Sequence, residues 1–300
     1  MADMMRIGVR LHDLAPAPLE ERLRRAGELG FRCVHLASKV VYREYGITRF
    51  GLTPGLAAHL REACGRAGVE IAVFGCYKNL ALPEGEALDE QLAEYEACCR
   101  FASWLGGCVV ATETGGPDER GRITEGRRGA EALRALERGV ARAVGIAERF
   151  GVTLAIEPGF NEVACTPERV RAVLDAVASP SLAVLWDPVS LLHASVAGGK
   201  LVRRGVDRAI ELFGDDVVAL HAKDFELVPD EGPREDGGLR GWADGSGLRL
   251  ACHGAGECGN FDFAPVAAWA AESKPHIHCI VENSTPQTAP GCLSYLRSLG

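Results

Sequence analysis

Short apolar runs with the character of strands alternate with longer amphipathic stretches along the chain, and this alternation restricts the fold more than any other feature. There are eight such runs. They cover residues 6–11, 33–36, 70–75, 108–112, 152–156, 183–186, 217–220 and 278–281. Because parallel strands need crossover helices between them, the alternation predicts an α/β protein with a parallel sheet.

The stretches between the runs carry apolar residues at intervals of three and four, which predicts helices. They cover residues 19–29, 54–67, 87–105, 126–150, 167–178, 202–213 and 263–272. At one start, Thr166, Pro167 and Glu168 supply in order a helix cap, a first-turn proline and an acid that favours the helix dipole. Repeated strand and helix units without a linker predict a single-domain (β/α)8 TIM barrel over residues 1–300. The alternative is an open doubly wound sheet, although Gly8 does not begin the glycine spacing of a dinucleotide site.

The charge balance narrows the classes of partner. Asp and Glu number 41 against 33 Lys and Arg, a formal net charge of -8. Such a surface does not attract nucleic acid or anionic membranes, so we expect a small-molecule substrate. No apolar run reaches the roughly 18 residues of a membrane span and the N-terminus lacks a signal-peptide core, which predicts a cytoplasmic protein. The 11 cysteines form no Cys-x-x-Cys pair, so we expect reduced thiols.

Four of the strand-like runs end in a polar residue of a kind that binds metals. The four residues are Glu157, Asp187, His221 and Glu282. Buried parallel strands present their C-terminal ends at one face of a barrel, where barrel enzymes build their active sites. Each residue alone has a structural explanation, as a helix cap, a loop ion-pair partner or a buried histidine. Three carboxylates at one barrel mouth would be costly to bury without a cation, so together they predict a divalent-metal site.

The chemistry of this donor set, oxygen ligands with one imidazole, favours Mn²⁺, with Mg²⁺, Co²⁺ and Zn²⁺ as alternatives. A metal open on one side could bind a ketone oxygen and a neighbouring hydroxyl, acidify the carbon-bound proton and stabilise the resulting enediolate. We expect Glu157 and Glu282 to flank the substrate as acid/base groups. Proton transfer between the two faces of one carbon gives epimerisation, and transfer between adjacent carbons gives aldose–ketose isomerisation. The sequence leaves both open.

Other polar residues near strand ends are candidates for binding sugar hydroxyls. They are His12, Asn79, Glu113 and Lys223. Lys223 lies two residues after His221 and therefore on the same strand face, where substrate contact and an ion pair with a carboxylate are both open. Trp186 precedes Asp187, so alternation turns it outward, and we expect it to pack between barrel and helices.

Residues 225–261 interrupt the rhythm with a long stretch rich in glycine and charge that follows the seventh run. Loops longer than about 12–15 residues inside compact domains are usually functional or disordered, and this one lies on the active-site face of the predicted barrel. We expect a lid over the pocket, with a disordered surface loop as the alternative. Within the segment, Glu257 is interpreted as a solvated charge and Cys258 as a surface thiol.

Five motifs follow one another in the second half of the chain. They are Ile156-Glu157-Pro158, Trp186-Asp187-Pro188, His221-Ala222-Lys223-Asp224, the loop from Gly254-Ala255-Gly256-Glu257 to Phe261-Asp262-Phe263, and Val281-Glu282-Asn283. As an ordered set they resemble the xylose isomerase-like barrels, sugar phosphate isomerases/epimerases that include ketose 3-epimerases and inosose dehydratases. The resemblance implies one Mn²⁺-type ion held by Glu157, Asp187, His221 and Glu282, with both glutamates as acid/base groups. It also implies a homo-oligomer, for which no sequence feature fixes a number of subunits.

Two departures from the family pattern bear on the substrate. Ketose epimerases of this family place a substrate-binding histidine three residues after the Asp, where this chain has Ser190. The next histidine is His193, and the resemblance makes it the candidate for that substrate-binding role. The glycine-rich loop is one residue longer, with Cys258 as the extra residue.

Three other functions stay open beside a sugar isomerase or epimerase. An inosose dehydratase-type lyase shares the enolisation but needs an acid at the leaving hydroxyl, which the sequence does not locate. An apurinic endonuclease is disfavoured by the acidic charge and by the scarcity of strand-end histidines. A non-catalytic sugar-binding barrel is the third alternative.

Overall fold

Eight parallel strands close into a barrel. The computed structural model describes residues 5–116, 123–235 and 241–300. Its strands are β1 (Met5–Arg10), β2 (Cys33–Ala37), β3 (Glu70–Gly75), β4 (Val109–Glu113), β5 (Leu154–Glu157), β6 (Leu182–Trp186), β7 (Val217–Pro229), β8 (Leu248–Gly254) and β9 (Ile277–Val281). Neighbours pair in parallel from β1 to β7, and β9 pairs with both β7 and β1. The predicted (β/α)8 TIM barrel is confirmed.

Helices surround the barrel and bury their apolar faces against it. Those in the described parts of the chain are α1 (Leu19–Leu29), α2 (Ser38–Tyr45), α3 (Pro54–Ala67), α4 (Glu86–Leu105), α5 (Ala130–Phe150), α6 (Pro167–Val177), α7 (Gly199–Phe213), α8 (Ala264–Ser273) and α9 (Ala289–Ser298). The short helices α2 and α9 were not predicted, and α5 begins four residues late because Glu125–Arg128 form a 3-10 turn. In the described ranges, no helix combines the length and the apolar character that a bilayer crossing demands.

The apolar core has two layers, one between barrel and helices and a smaller one inside the barrel. The inner layer consists of Cys33, Ala72, Val73, Ala111, Ala155, Ala183, Leu185, Ala219 and Ile280. Side chains alternate along a strand, so a residue two positions after an inner-layer residue also faces the barrel axis. That rule brings six polar residues to the mouth of the barrel. They are His35, Glu113, Glu157, Asp187, His221 and Glu282.

Trp186 follows the same alternation, and its side chain faces away from the barrel axis. It is 1% exposed and packs edge-to-face against Phe213 of α7 and Trp269 of α8, with ring centroids 5.8 and 5.6 Å away. The prediction that Trp186 packs between barrel and helices is confirmed. Its outward position leaves the next residue, Asp187, directed at the barrel mouth.

Part of the segment 225–261, residues 225–229 and 248–254, is strand, which corrects the interpretation of the whole stretch as irregular. β7 continues to Pro229 instead of ending at residue 220, and it pairs antiparallel with β8 from Lys223 opposite Gly254 to Pro229 opposite Leu248. Outside the barrel few residues of this two-stranded ribbon are buried, among them Phe225 and Leu250, so the ribbon lacks the continuous apolar pattern by which the barrel strands are recognised. Residues 236–240 of the segment lie outside the described residues.

Asp224, fully buried on β7, anchors the turn that follows β8. One carboxylate oxygen accepts hydrogen bonds from the backbone N–H groups of Cys258 and Gly259 at 2.9 and 2.7 Å. The other accepts from Asn260 and Phe261, and also from the adjacent Phe225. A carboxylate with this many donors fixes the loop backbone.

Glu257 in the same turn is also engaged. Its Oε1 accepts a hydrogen bond from the backbone N–H of Gly254 at 3.1 Å. The interpretation of Glu257 as a merely solvated charge is therefore wrong, although the residue itself is exposed.

The variant Asp224→Asn is expected to lower the free energy of unfolding by about 1.5–3 kcal/mol, because the amide nitrogen would face N–H donors and the charge that strengthens these bonds would be lost. Urea unfolding followed by far-UV circular dichroism measures the effect. The matched control is Glu272→Gln, which removes an exposed charge from α8. Equal stability of the two variants would contradict the anchoring role.

Candidate metal centre

The four predicted ligands converge at the C-terminal mouth of the barrel. Glu157 ends β5, Asp187 and Glu282 directly follow β6 and β9, and His221 lies within β7. One donor atom from each residue lies within 4.8 Å of the others, and all four residues are at most 9% exposed. Four separate strands thus bring three carboxylates and one imidazole to a single point.

His221 occupies the centre of this group. Its Nδ1 lies 2.8 Å from Glu157 Oε1 and 3.3 Å from Glu282 Oε2. Burial alone would lower the pKa of His221, but the two glutamates outweigh it and raise that pKa to about 10. The imidazole therefore carries the proton that a metal ion would replace.

Two basic side chains also contact the carboxylates. Lys223 Nζ lies 3.1 Å from Asp187 Oδ2 and 3.3 Å from Glu282 Oε2, while the Arg10 guanidinium donates to Glu282 Oε1. Although burial opposes it, Lys223 and the other cations hold the pKa of Glu282 well below its usual range. The sequence argument that only a metal would compensate three carboxylates is therefore too strong, because Lys223 and Arg10 supply part of the charge.

The hydrogen bonds of the Asp187 carboxylate indicate whether the four donors fit a cation. Its Oδ1 accepts hydrogen bonds from the N–H groups of Val189 and Ser190 at 2.8 and 3.2 Å. Its buried Oδ2 accepts none from the described residues, since Lys223 Nζ at 3.1 Å lies at an unsuitable angle. Burial outweighs Lys223 and raises the pKa of Asp187 to about 6. An unbonded carboxylate oxygen among hard donors fits a divalent cation such as Mn²⁺ or Mg²⁺.

A cavity of about 190 Å³ opens beside the ligands. Its lining residues are Tyr77, Lys78, Asn79, Glu113, Gly115, Gly116, Ile123, Asn161 and Glu162. Glu113 is the register partner of Glu157, which places the cavity next to that ligand. Glu113 is exposed to solvent through the cavity. Desolvation by the surrounding protein, followed by the negative charges of Glu157 and Glu282, nevertheless raises the pKa of Glu113 to about 7. The cavity therefore has an acidic wall.

Four of the five predicted substrate-binding residues lie around the ligands or this cavity. Asn79 and Glu113 line the cavity, although the Asn79 side-chain oxygen already accepts from the N–H of Ala81 at 2.9 Å. Lys223 contacts two ligands. His12 follows β1, and its buried Nδ1 has no hydrogen-bond partner in the described part of the chain. Burial, followed by nearby cations, lowers the pKa of His12 to about 4, so this imidazole is neutral.

His193 lies elsewhere. Its Nδ1 is 2.7 Å from Asp244 Oδ2, its ring stacks on Phe160 at 4.6 Å, and it lines a different cavity together with Arg128. Asp244 belongs to the segment that folds back before β8. In that same segment the centroid of the Trp242 ring lies 5.4 Å from Lys223 Nζ.

Four residues near the site were not predicted. They are Arg10, His35, Tyr77 and Glu162. Arg10 ends β1 and His35 lies two positions beyond the inner-layer Cys33, so the strand-end rule that found the ligands would also have found these two. Tyr77 and Glu162 lie in loops, where no periodicity indicates their direction.

Comparison with known proteins identifies the family of this chain. A family model described as xylose isomerase-like TIM barrel matches residues 23–298. A search by sequence among curated proteins finds no match. Among solved structures, a D-tagatose 3-epimerase-like protein is 20% identical, with 98% of this chain and 97% of that chain covered and a TM-score of 0.65.

Two further structures share the fold. A probable 3-DHS dehydratase from Bacillus anthracis, involved in petrobactin synthesis, is 11% identical, with coverages of 99% and 98% and a TM-score of 0.68. A xylose isomerase-like TIM barrel protein from Mycobacterium smegmatis in complex with magnesium is 13% identical, with coverages of 99% and 96% and a TM-score of 0.65. These likenesses concern the fold, whereas the family match extends over most of the sequence. The chain belongs to the xylose isomerase-like TIM barrel family.

Proposed function

We propose that this protein is a divalent-metal-dependent isomerase or epimerase of a sugar or sugar phosphate, acting by proton abstraction next to a carbonyl through an enediolate. The observation that supports the proposal is the convergence of four potential metal donors, in which carboxylate oxygens of Glu157 and Glu282 both lie within 3.3 Å of His221 Nδ1. The epimerase-like structural neighbour agrees with it. A divalent cation held there would polarise a substrate carbonyl. Mn²⁺ is the proposed ion, with Mg²⁺, Co²⁺ and Zn²⁺ as alternatives.

In this proposal Glu157 and Glu282 are the catalytic residues. They approach from different strands, β5 and β9, so a sugar between them would present one face to each carboxylate. One group removes the carbon-bound proton and the other returns a proton to the opposite face, which gives epimerisation. If one carboxylate does both on adjacent carbons, the outcome is isomerisation.

Lys223 and the cavity would hold the substrate. The Lys223 ammonium, buried among ligand oxygens, would donate to a substrate oxygen that gains negative charge. Asn79 and Glu113 would bind hydroxyls from the cavity wall, and His12 would do so from the β1 side. His193 would reach the substrate only after its contact with Asp244 opens. We further propose a cytoplasmic homo-oligomer that acts on a small sugar or cyclitol.

A lyase of the inosose dehydratase type is the second candidate, and Glu113 is the observation that favours it. Loss of a β-hydroxyl needs an acid near the leaving group. Glu113 supplies a carboxyl group outside the metal donor set, beside Glu157 and facing the cavity.

Deuterium uptake from D₂O tests the enolisation. With Mn²⁺ present, we expect uptake into one member of a panel of free ketoses, ketose phosphates and inososes. Both Glu157→Gln and Glu282→Gln should slow it at least about 100-fold, the usual contribution of a general base. Mass spectrometry follows the deuterium, and product analysis separates epimerase, isomerase and lyase.

The matched control is Glu226→Gln, on the exposed part of β7. The metal content of every variant is measured at saturating Mn²⁺, so that loss of the ion is distinguished from loss of the base. Undiminished uptake in both glutamine variants would refute the assigned roles. No uptake by protein with stoichiometric metal would refute enolisation of these substrates.

Metal binding is tested separately through Lys223→Met. Without metal, this variant leaves buried carboxylates short of a cation, and its Tm should fall by at least about 5 °C. Saturating Mn²⁺ should remove more than half of that deficit, because the ion compensates the same oxygens. Thermal unfolding with EDTA or Mn²⁺ measures this, with Lys39→Met on α2 as the exposed control. The same Tm deficit under both conditions would show that no cation binds there.

A further inference from the structure

Three aromatic rings form a row that leads from the ligand His221 to the cavity. His35 Nδ1 lies 2.9 Å from His221 Nε2, and His35 Nε2 lies 2.8 Å from the Tyr77 hydroxyl. The His35 ring is roughly parallel to both neighbours, at 5.1 Å from His221 and 5.7 Å from Tyr77. Since His35 is fully buried, no water competes for its nitrogens.

We infer that this row is a directed hydrogen-bond chain in which His35 orients the metal ligand His221 and makes the Tyr77 hydroxyl a donor to a substrate oxygen. The inference rests on the proposed metal site. His35 acts as a positioning residue, and Tyr77 is the group that touches substrate.

The direction of the chain follows from His221. If Nδ1 faces the metal with its lone pair, the neutral ring carries its hydrogen on Nε2 and donates to His35 Nδ1. His35 then carries its own hydrogen on Nε2 and donates to the Tyr77 oxygen. With a metal on Nδ1, the chain therefore runs from His221 through His35 to Tyr77.

Neutral His35 suits this arrangement. His35 is fully buried, and its nitrogens contact the His221 imidazole and the Tyr77 hydroxyl rather than a carboxylate. A ligand histidine is commonly oriented by a carboxylate, a backbone carbonyl or water at its second nitrogen. Here the neutral imidazole of His35 takes that place. Unlike a carbonyl, it has a second nitrogen, which donates a hydrogen bond to the Tyr77 oxygen.

Gly75 at the end of β3 makes room for the row. A Cβ at this position would lie 2.6 Å from His35 Nε2 and 2.6 Å from Tyr77 Cε2, closer than atoms approach in proteins. Its φ lies outside the left-handed region, so space rather than backbone conformation explains the glycine. The contact between His35 and Tyr77 therefore depends on a missing side chain.

Tyr77 ends the row at the cavity. In the inferred direction the Tyr77 oxygen accepts a hydrogen bond from His35 Nε2. The hydrogen of the Tyr77 hydroxyl then has no acceptor among the described residues. The ring lines the cavity together with Asn79 and Glu113. A hydroxyl or carbonyl oxygen of a bound sugar is the acceptor that such a donor would select.

Three variants separate the links of the chain. Tyr77→Phe removes only the hydroxyl. His35→Asn keeps an acceptor near the Nδ1 position but is too short to reach Tyr77. His35→Leu removes both contacts, and His59→Leu, at an exposed site, is its control. Far-UV circular dichroism establishes that each variant folds.

Metal affinity is measured by competition of Mn²⁺ with a fluorescent chelator. We expect Tyr77→Phe and His35→Asn to bind Mn²⁺ within about threefold of the wild type, and His35→Leu to lose about 10–100-fold. ¹⁵N NMR of the Mg²⁺-loaded protein should find the hydrogen of His35 on Nε2. A hydrogen on Nδ1, or an unchanged affinity in His35→Leu, would overturn the chain.

The Tyr77 donor is tested with the panel compound that takes up deuterium. Tyr77→Phe and His35→Asn should each raise KM about tenfold, the effect of one lost hydrogen bond, while the affinity for Mn²⁺ stays the same. An unchanged KM would overturn the substrate contact. If the wild type binds no metal and exchanges no compound, the proposed function fails, whereas the NMR experiment on metal-free protein still decides the direction of the chain.

Discussion

Strict alternation of side chains along barrel strands controls what reaches the mouth of this protein. Inside the barrel lie mostly small residues, such as Ala111, Ala155 and Ala219, and two positions further on the same strands carry Glu113, Glu157 and His221. Because register shifts by one residue exchange the two faces of a strand, the packing of the inner layer and the assembly of the site are one constraint. A slip that exposed the alanines would also turn the ligands outward.

Electrostatic compensation is the second condition on this mouth. Three carboxylates face one imidazole, with Lys223 and Arg10 beside them. The two cations permit the carboxylates to be buried before any ion arrives, so the ligand geometry is largely preformed. Among the described residues none donates a hydrogen bond to Asp187 Oδ2, although the Lys223 ammonium 3.1 Å away compensates its charge.

The barrel was predictable because its signals are local and repeated. Apolar runs of strand length with polar ends gave eight strands and all four converging ligands. The ribbon of β7 and β8 was not predictable from apolar patterning, since only a few of its residues, such as Phe225 and Leu250, join the core. Lys223 could be placed on the correct face, but its pairing with Asp187 and Glu282 depends on how three strands meet in space. Tyr77 and the stacking of His193 on Phe160 arise from loops, whose directions no period encodes.

β7 is one continuous strand from the barrel floor through His221 and Lys223 into the exposed ribbon. Asp224 ties this strand to the turn after β8 just where it leaves the barrel, and burial ends one residue later, at Phe225. Any hinge for the outer ribbon therefore lies beyond Phe225, on the solvent side of that tie. Displacement of the ribbon would leave the four donor residues in place, so the position of the ribbon and the geometry of the barrel mouth are mechanically separate.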